Sequence, residues 1–335
     1  MTRIRSALVA LVIGLLASVG MAQERGGTLT AAWANPVGLD PHATSAYFSY
    51  QVLQQVLETL VDFDNDQNLV PKLAESWNVS DDGLVWTFEL REDVQFSNGR
   101  GFTAEDVKYT YDRMLDPETA SGNAWRLGAV QSIDVVDPYT VTFTLGSPNT
   151  GFLGKLASGS PVGIIAREAV EDGTIDTRPI GTGPFMITDY QPGTMVMLER
   201  NENYWGTDAD GVQLPYLDAV ELRIIPDDSV KRSALVSGDV DWTISVPTQS
   251  LPELEARDDV VVDRSAAPAY WYIGVNTERE PLNDVRVRQA ISYALDRGQI
   301  TEAATFGTCV PTQHPIPSVS AWAFDYAPYD QDLEQ

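Results

Sequence analysis

The sequence predicts a mixed α/β protein in which one lobe of strands and helices is interrupted by an inserted, mainly antiparallel subdomain. Apolar and polar residues alternate over 84–91 and 140–145, which is typical of strands with one buried face. Apolar residues recur at helical spacing after Thr103 and after Asp284. Mixed strand and helix patterns stand on both sides of the alternating block, so we expect an insertion within a lobe.

Strand patterns extend well beyond the two alternating segments. Within the block, Trp86, Phe88 and Leu90 share one face, so we expect Trp86 to lie in the core. Outside it, strands are predicted at 28–33, 195–200, 219–225, 239–243 and 260–264.

Capping residues mark the helix starts. Thr103 can cap a helix whose first turn holds Glu105 and Asp106, two acids that the helix dipole favours. Asp284 can cap a later helix, and Arg288 lies one turn on, where it can pair with that carboxylate. Further helices are predicted after Asp227 or Asp228 and over 49–59. Core-facing stripes are predicted at Val107, Tyr111, Met114 and Leu115 and at Val287, Ile291, Ala294 and Leu295.

The first residues have the composition of an export signal. Arg3 and Arg5 precede an apolar run over 7–19, and small residues stand before Gln23. The run is shorter than the roughly 20 residues that a membrane-spanning helix needs. We therefore predict a cleavable signal peptide over 1–22 and a periplasmic mature protein.

The composition argues against nucleic-acid binding, a disulfide within the chain and a histidine-based metal site. The chain holds 22 Lys and Arg against 48 Asp and Glu, a formal charge of −26, which disfavours nucleic-acid binding. Its one cysteine, Cys309, cannot form a disulfide within the chain, and its two histidines, His42 and His314, are isolated in sequence. We expect His42 to serve loop structure rather than a metal.

Known catalytic and metal-binding motifs are absent from the sequence. It has no G-x-S-x-G, no P-loop and no H-E-x-x-H. Asp62, Asp64 and Asp66 alternate as in a calcium loop, but Gln67 stands where that loop needs Gly and Leu73 where it needs Glu, so a polar hairpin turn is predicted. We expect no enzyme, metal or cofactor; the alternative is a secreted hydrolase that uses two of the 48 carboxylates.

Four stretches together resemble one family. They are LAESWNVSDDGLVWTFELREDVQFSNG from Leu73 with FTAEDV from Phe102; GTGPF from Gly181; NENYW from Asn201; and YIGVNT from Tyr272 with DVRVRQA from Asp284. In their order and spacing they are similar to the family 5 extracellular solute-binding proteins of ABC transporters. That group includes oligopeptide, dipeptide and nickel binders.

The resemblance implies an α/β fold of the periplasmic binding protein type II kind, with two lobes, an inserted subdomain and an incomplete second lobe. It implies a lobe I core at 27–60 and 178–268, an insert at 61–177 and the start of lobe II at 269–335. The function implied is the periplasmic solute-binding component of an ABC importer. It would hold a small solute, with short peptides expected, between the lobes and deliver it to the permease. We expect a monomer without nucleic-acid partners; peptide, opine, oligosaccharide and metal chelate stay open as solutes.

The same resemblance places a ligand site on aromatic and polar loops. Aromatic residues on loops are also candidate ligand platforms in their own right. Gly181 and Gly183 are expected to serve backbone geometry, and Tyr204 and Trp205 to pack the lobe. The predicted ligand contacts are Ser45, Ala46, Tyr47, Trp125, Arg126, Ile244, Ser245, Val246, Tyr270 and Trp271.

Overall fold

The computed structural model describes residues 25–264, 270–318, 320, 323–324, 326–332 and 334. The predicted signal peptide lies outside the described residues. The chain divides after Ile244 into two compact units, here the first unit and the second unit. The lobe boundaries predicted from the sequence stay a prediction.

The described elements alternate along the chain. The strands are β1 (Thr28–Trp33), β2 (Val61–Phe63), β3 (Leu69–Pro71), β4 (Ala74–Val79), β5 (Val85–Leu90), β6 (Val130–Asp137), β7 (Thr140–Leu145), β8 (Phe185–Gln191), β9 (Met195–Arg200), β10 (Ala219–Ile224) and β11 (Trp242–Thr243). The α-helices are α1 (Tyr47–Leu53), α2 (Ala104–Leu115), α3 (Phe152–Leu156), α4 (Arg167–Glu171), α5 (Asp228–Ser237), α6 (Leu251–Glu255), α7 (Val285–Ala294) and α8 (Arg297–Thr305). None of these helices combines the length and apolar character needed to cross a bilayer.

A five-stranded mixed sheet forms one part of the first unit. Its strand order is β11-β1-β10-β9-β8. β1 runs parallel to both β10 and β11, whereas β8, β9 and β10 are antiparallel neighbours. Apolar side chains of this sheet and of α1 form a common core, including Val52, Leu53, Val196, Leu198 and Leu222. Strands far apart in sequence therefore meet in one sheet.

A four-stranded antiparallel sheet, with strand order β4-β5-β7-β6, forms the second core of this unit. The alternation is confirmed: Trp86, Phe88 and Leu90 are buried in it. Tyr111 of α2 packs on Phe143, with ring centroids 5.6 Å apart. Helix α2 begins as predicted, with Thr103 and Asp106 forming a reciprocal capping box. The sheet and its helix thus bury one continuous apolar cluster.

Three predicted elements differ from the structure. The strand predicted at 239–243 is limited to Trp242–Thr243. Helix α1 begins at Tyr47 and ends at Leu53, not over 49–59, because the carbonyls of Gln55 and Val56 accept hydrogen bonds from the backbone N–H groups of Phe185 and Gly183. The strand predicted at 260–264 is wrong: these residues have no regular structure. Three consecutive valines favour a strand, but they do not form one when no strand among the described residues supplies hydrogen bonds.

Gly181 and Gly183 lie where two backbone segments approach closely. A Cβ at Gly183 would stand 2.8 Å from the Gln55 and Val56 carbonyl oxygens, and one at Gly181 would overlap Val56 and Leu57. These contacts confirm the expected role in backbone geometry, because only glycine leaves room for this packing.

The buried Glu58 carboxylate joins several segments of the first unit. It accepts hydrogen bonds from Thr182 Oγ1 at 2.9 Å and from Trp205 Nε1 at 2.8 Å, and Lys72 Nζ lies 3.1 Å away. Tyr204 is buried beside it. Tyr204 and Trp205 therefore pack within the first unit, and Glu58 is their common partner.

The polar hairpin turn predicted near Asp64 is confirmed. β2 and β3 pair antiparallel around it. The Asp64 carboxylate accepts from the backbone N–H groups of Asp66 and Asn68 at 2.9 and 2.8 Å. The acids here serve the turn, because their oxygens satisfy its backbone donors.

The second unit contains α6, α7 and α8. Asp284 caps α7 as predicted, but its ion pair is with Arg286 rather than with Arg288. The Arg288 guanidinium instead donates to the Leu282 carbonyl. The predicted core-facing stripe of α7 is also wrong: none of the helix residues is buried, and Ile291 is exposed. Helical spacing makes an apolar face, but burial requires an element that covers it.

Candidate ligand-binding surface

Four aromatic rings form a continuous row at the end of β1. Trp33, the last residue of β1, stacks on Trp242 with centroids 5.6 Å apart and packs edge-on against Phe48 at 6.4 Å. Phe48 meets Tyr47 at 5.3 Å. Tyr47 is 62% exposed and Trp242 43%, whereas Trp33 is buried. This aromatic row therefore presents two accessible rings, anchored on a buried one.

The position of the aromatic row follows from strand direction. β1 and β11 are parallel, so their carboxyl ends lie at the same edge of the sheet. That edge is where α/β sheets commonly bind ligands. Ile244 follows β11 directly and packs against the same core as Phe48. Among the described residues, the indole N–H of Trp33 has no hydrogen-bond partner.

The loop that carries Ser45 and Ala46 is held by its own hydrogen bonds. Thr44 Oγ1 donates to the Val37 carbonyl at 2.8 Å and accepts from the Ala46 N–H at 3.2 Å. Ser45 is exposed and Ala46 is half-buried at the start of α1. The loop thus presents small residues beside Tyr47.

Asn123 ties that loop to the turn that carries Trp125 and Arg126. Its buried side-chain nitrogen lies 2.8 Å from Tyr50 Oη and 3.2 and 3.3 Å from the carbonyl oxygens of Pro41 and Thr44. The structure therefore brings together two segments that are distant in sequence, since Asn123 and Pro41 are 82 residues apart.

The turn itself presents an aromatic ring and a cation. Residues Ala124–Leu127 form a single 3-10 turn, and Leu127 is buried. Trp125 is 60% exposed, and the Arg126 guanidinium carbon lies 4.7 Å from its ring centroid. Burial lowers the pKa of Arg126.

A charged network supports the loop from within. Arg113 donates to both carboxylate oxygens of Asp40, at 3.0 and 2.6 Å, and Asp40 accepts from the His42 backbone N–H. Arg113 Nη1 also lies 2.8 Å from His42 Nδ1, which must accept because a guanidinium only donates. Burial first, and then the Arg113 charge, lower the pKa of His42 to about 4. His42 is therefore neutral at pH 7 and serves loop structure.

The remaining predicted residues belong to the second unit. Ser245 and Val246 are half-buried, just after the division of the chain. Trp271 is 91% exposed, and the Tyr270 ring packs against Tyr272 at 5.7 Å. As ligand contacts, all ten residues stay predictions.

Sequence reasoning missed several residues of this surface. Trp33 and Trp242 were not selected, although each stands next to a predicted loop. Asn123 and Tyr50 were also missed, and no local pattern marks them, because their link runs between distant segments. Within the described part of the chain, no group of three or more His, Cys, Asp and Glu side chains is placed to hold a metal ion.

Comparison with known proteins gives the family. A family model described as "Bacterial extracellular solute-binding proteins, family 5 Middle" matches residues 68–335. The chain belongs to this family. The resemblance carried by the four motifs is thereby confirmed.

Individual relatives agree with this assignment. The glutathione-binding protein GsiB of Escherichia coli O1:K1 / APEC is 30% identical over 332 residues, covering 98% of this chain and 63% of that protein. Heme-binding protein A of Haemophilus influenzae is 31% identical, covering 89% of this chain and 58% of that protein.

A solved structure gives the fold. The periplasmic binding protein DppA of Helicobacter pylori, in complex with peptide STSA, matches with a TM-score of 0.84 at 29% identity, covering 95% of this chain and 66% of that one. The predicted α/β fold of the periplasmic binding protein type II kind is confirmed. The chain spans less than two thirds of the length of each of these relatives.

Proposed function

We propose that this chain is the solute-binding component of an ABC importer in the periplasm, which captures a small solute and leaves it chemically unchanged. The observation that carries the proposal is the family 5 match over residues 68–335. A transport receptor needs a surface that holds its ligand reversibly, with apolar walls and a few polar groups. The aromatic row and the Trp125–Arg126 turn have this character.

Short peptides are the proposed solute class. The Helicobacter pylori neighbour was solved with the peptide STSA, and the Escherichia coli relative is named for glutathione, itself a short peptide. Exposed indole and phenol rings suit peptides because they pack on apolar side chains and still offer an N–H or O–H group. The ABC permease is the proposed partner, and a monomer is the proposed state.

The proposed contacts are the ten residues predicted from the sequence. In the first unit, Tyr47 and Trp125 are the most accessible rings among them. We propose the same lobe assignment together with this function. One lobe consists of 27–60 and 178–268, the insert of 61–177 and the second lobe of 269–335.

Thermal unfolding with added solutes tests the proposal. STSA and glutathione should each be tried, and at 100 times its Kd a bound solute should raise the free energy of unfolding by about 2.7 kcal/mol. Tyr47→Ala and Trp125→Ala should reduce the rise in Tm. Phe63→Ala, which removes a 38% exposed ring on the β2–β3 hairpin, is the matched control.

Two outcomes would contradict the proposal. One is that no peptide stabilises the protein. The other is that mass spectrometry finds the released peptide cleaved, which would favour the alternative of a carboxylate-dependent hydrolase. Recovery of the intact peptide supports a transport role.

A further inference from the structure

Arg126 is a partly buried cation without an anionic partner. Among the described residues its guanidinium makes no ion pair, and its buried Nε–H has no hydrogen-bond partner. Among the described residues, the Tyr50 phenol and the Trp125 ring interact favourably with its charge, but no carboxylate does. A desolvated charge normally gains a partner, because its burial is otherwise unfavourable.

Several other partly buried arginines of the first unit have carboxylate partners. Arg113 pairs with Asp40, Arg100 pairs with Asp106 and Glu168, and Arg200 pairs with Asp218. Arg167 instead lies over the Tyr109 ring, with its guanidinium carbon 5.3 Å from the centroid, but it is not among the described residues with a buried, unpaired nitrogen. With 48 acidic residues in the chain, a carboxylate beside Arg126 would be easy to supply. Among the described residues, the buried and unpaired Nε–H therefore distinguishes Arg126 from the arginines that hold the fold together.

The position of Arg126 is fixed by its neighbours in the chain. Leu127 is buried in the apolar core, and Asn123 is locked to Tyr50 and the Pro41–Thr44 loop. Trp125 supports the guanidinium from one side, with the charge 4.7 Å from the ring centroid. A guanidinium held in this way loses little freedom when it binds a second group.

The net charge of the chain makes a local cation significant. At −26 the surface repels anionic solutes as a whole, so an anion needs a specific positive group to stay bound. A guanidinium fits a carboxylate with two parallel hydrogen bonds. Arg126 is also next to Trp125, one of the accessible rings of the proposed ligand surface.

We propose that Arg126 binds a carboxylate of the solute and makes this protein selective for anionic ligands. The inference rests on the proposed solute-binding function and deepens it by naming the ligand class. It assigns Arg126 to ligand specificity rather than to the stability of the fold.

The test compares acid and neutral forms of the same ligand by isothermal titration calorimetry on the full chain. The probes are STSA and its C-terminal amide, and glutathione and its diethyl ester. The wild type should bind the acid more tightly, and Arg126→Gln should lower affinity for the acid by on the order of 10- to 100-fold, with little change for the neutral form. Arg126→Lys should restore part of the preference. Arg178→Gln, which removes an exposed arginine elsewhere in the unit, should behave as wild type.

A melt without ligand separates specificity from structure. Because Arg126 has no carboxylate among the described residues to lose, only its contact with the exposed Trp125 ring, Arg126→Gln should unfold at the same temperature as wild type or higher. A clear fall in Tm would overturn the proposal, since it would show a structural role. Equal binding of acid and neutral forms would overturn it while leaving the solute-binding function intact. If Arg126→Gln still prefers the acid form, the role of Arg126 is overturned while the solute-binding function again stays intact. Absence of binding by all four probes would overturn both proposals together.

Discussion

Arg113 and Arg126 are both partly buried arginines of the first unit, and they differ in their partners. Arg113 donates hydrogen bonds to both Asp40 carboxylate oxygens and to His42 Nδ1, so it stabilises the loop before α1. The Arg126 guanidinium lies over the Trp125 ring, and no carboxylate of the described residues pairs with it. At the scale of single residues, the number of satisfied hydrogen bonds separates the structural arginine from the one proposed for ligand.

His42 predicts an acid-sensitive fold. Its pKa is lowered from 6.5 to about 4, so the native state holds neutral His42, and the stabilisation present above pH 6.5 is lost as the pH falls toward 4. The free energy of unfolding should fall by about 1.4 kcal/mol per pH unit in this window, about 3 kcal/mol in total. Urea unfolding at pH 7, 6, 5 and 4.5 measures this slope.

Two variants complete that experiment. His42→Gln keeps an acceptor for Arg113 and does not titrate, so its slope should be flatter than that of the wild type. His314→Gln, in the second unit, is the control for loss of a histidine elsewhere in the chain. An unchanged slope in His42→Gln would contradict the prediction.

Among the elements, the end of α1 and the Gly181–Phe185 segment determine each other. The carbonyls of Gln55 and Val56 bind the backbone before β8 instead of continuing the helix. Glu58, a few residues later, holds Thr182 and Trp205. Two family motifs therefore meet at one turn, and their shared role is to join α1 to the five-stranded sheet.

A methyl group at this junction should destabilise the protein. Gly183→Ala places a Cβ 2.8 Å from backbone oxygens that cannot move without breaking hydrogen bonds. We expect a loss of about 1–3 kcal/mol in the free energy of unfolding. Gly101→Ala is the matched control, because a Cβ there meets no atom within 4 Å. Urea midpoints measure both, and equal midpoints would contradict the close approach.

Taken as a whole, the molecule carries a large excess of negative charge. The 48 acidic side chains outnumber the 22 basic ones, and many ion pairs lie at the surface, where each contributes little. The acidic side chains repel one another in the compact state, and this repulsion lowers the stability of the fold. Added salt, up to about 0.2 M, should weaken this repulsion because it screens the surface charges from one another.

Stability in urea should therefore rise as NaCl increases from about 0.01 to about 0.2 M, since the Debye length falls from roughly 30 Å to below 10 Å. Replacing two exposed acids, Asp81→Lys and Glu92→Lys, should reduce this salt dependence. A decrease in stability with salt would contradict the prediction, because it would mean that screened ion pairs outweigh the repulsion.

Local patterns predicted much of the secondary structure. The strands β1, β7 and β9 agree with their predicted ranges, and Thr103, Asp227 and Asp284 cap helices as expected. The errors are at 239–243, at 260–264, at the end of α1 and on α7. In each of these the outcome depends on a partner, or on the lack of one, outside the segment.

By itself, the sequence determined the periodic elements, their caps, the family and the identity of several accessible aromatic side chains, because these depend on residues a few positions apart. The tertiary structure alone decided which distant groups meet. It stacked Trp33 on Trp242, locked Asn123 to the Pro41–Thr44 loop and left Arg126 without a carboxylate. Such pairings depend on how strands and helices pack across more than 70 positions of the chain, as from Tyr50 to Asn123, and no short-range preference encodes them.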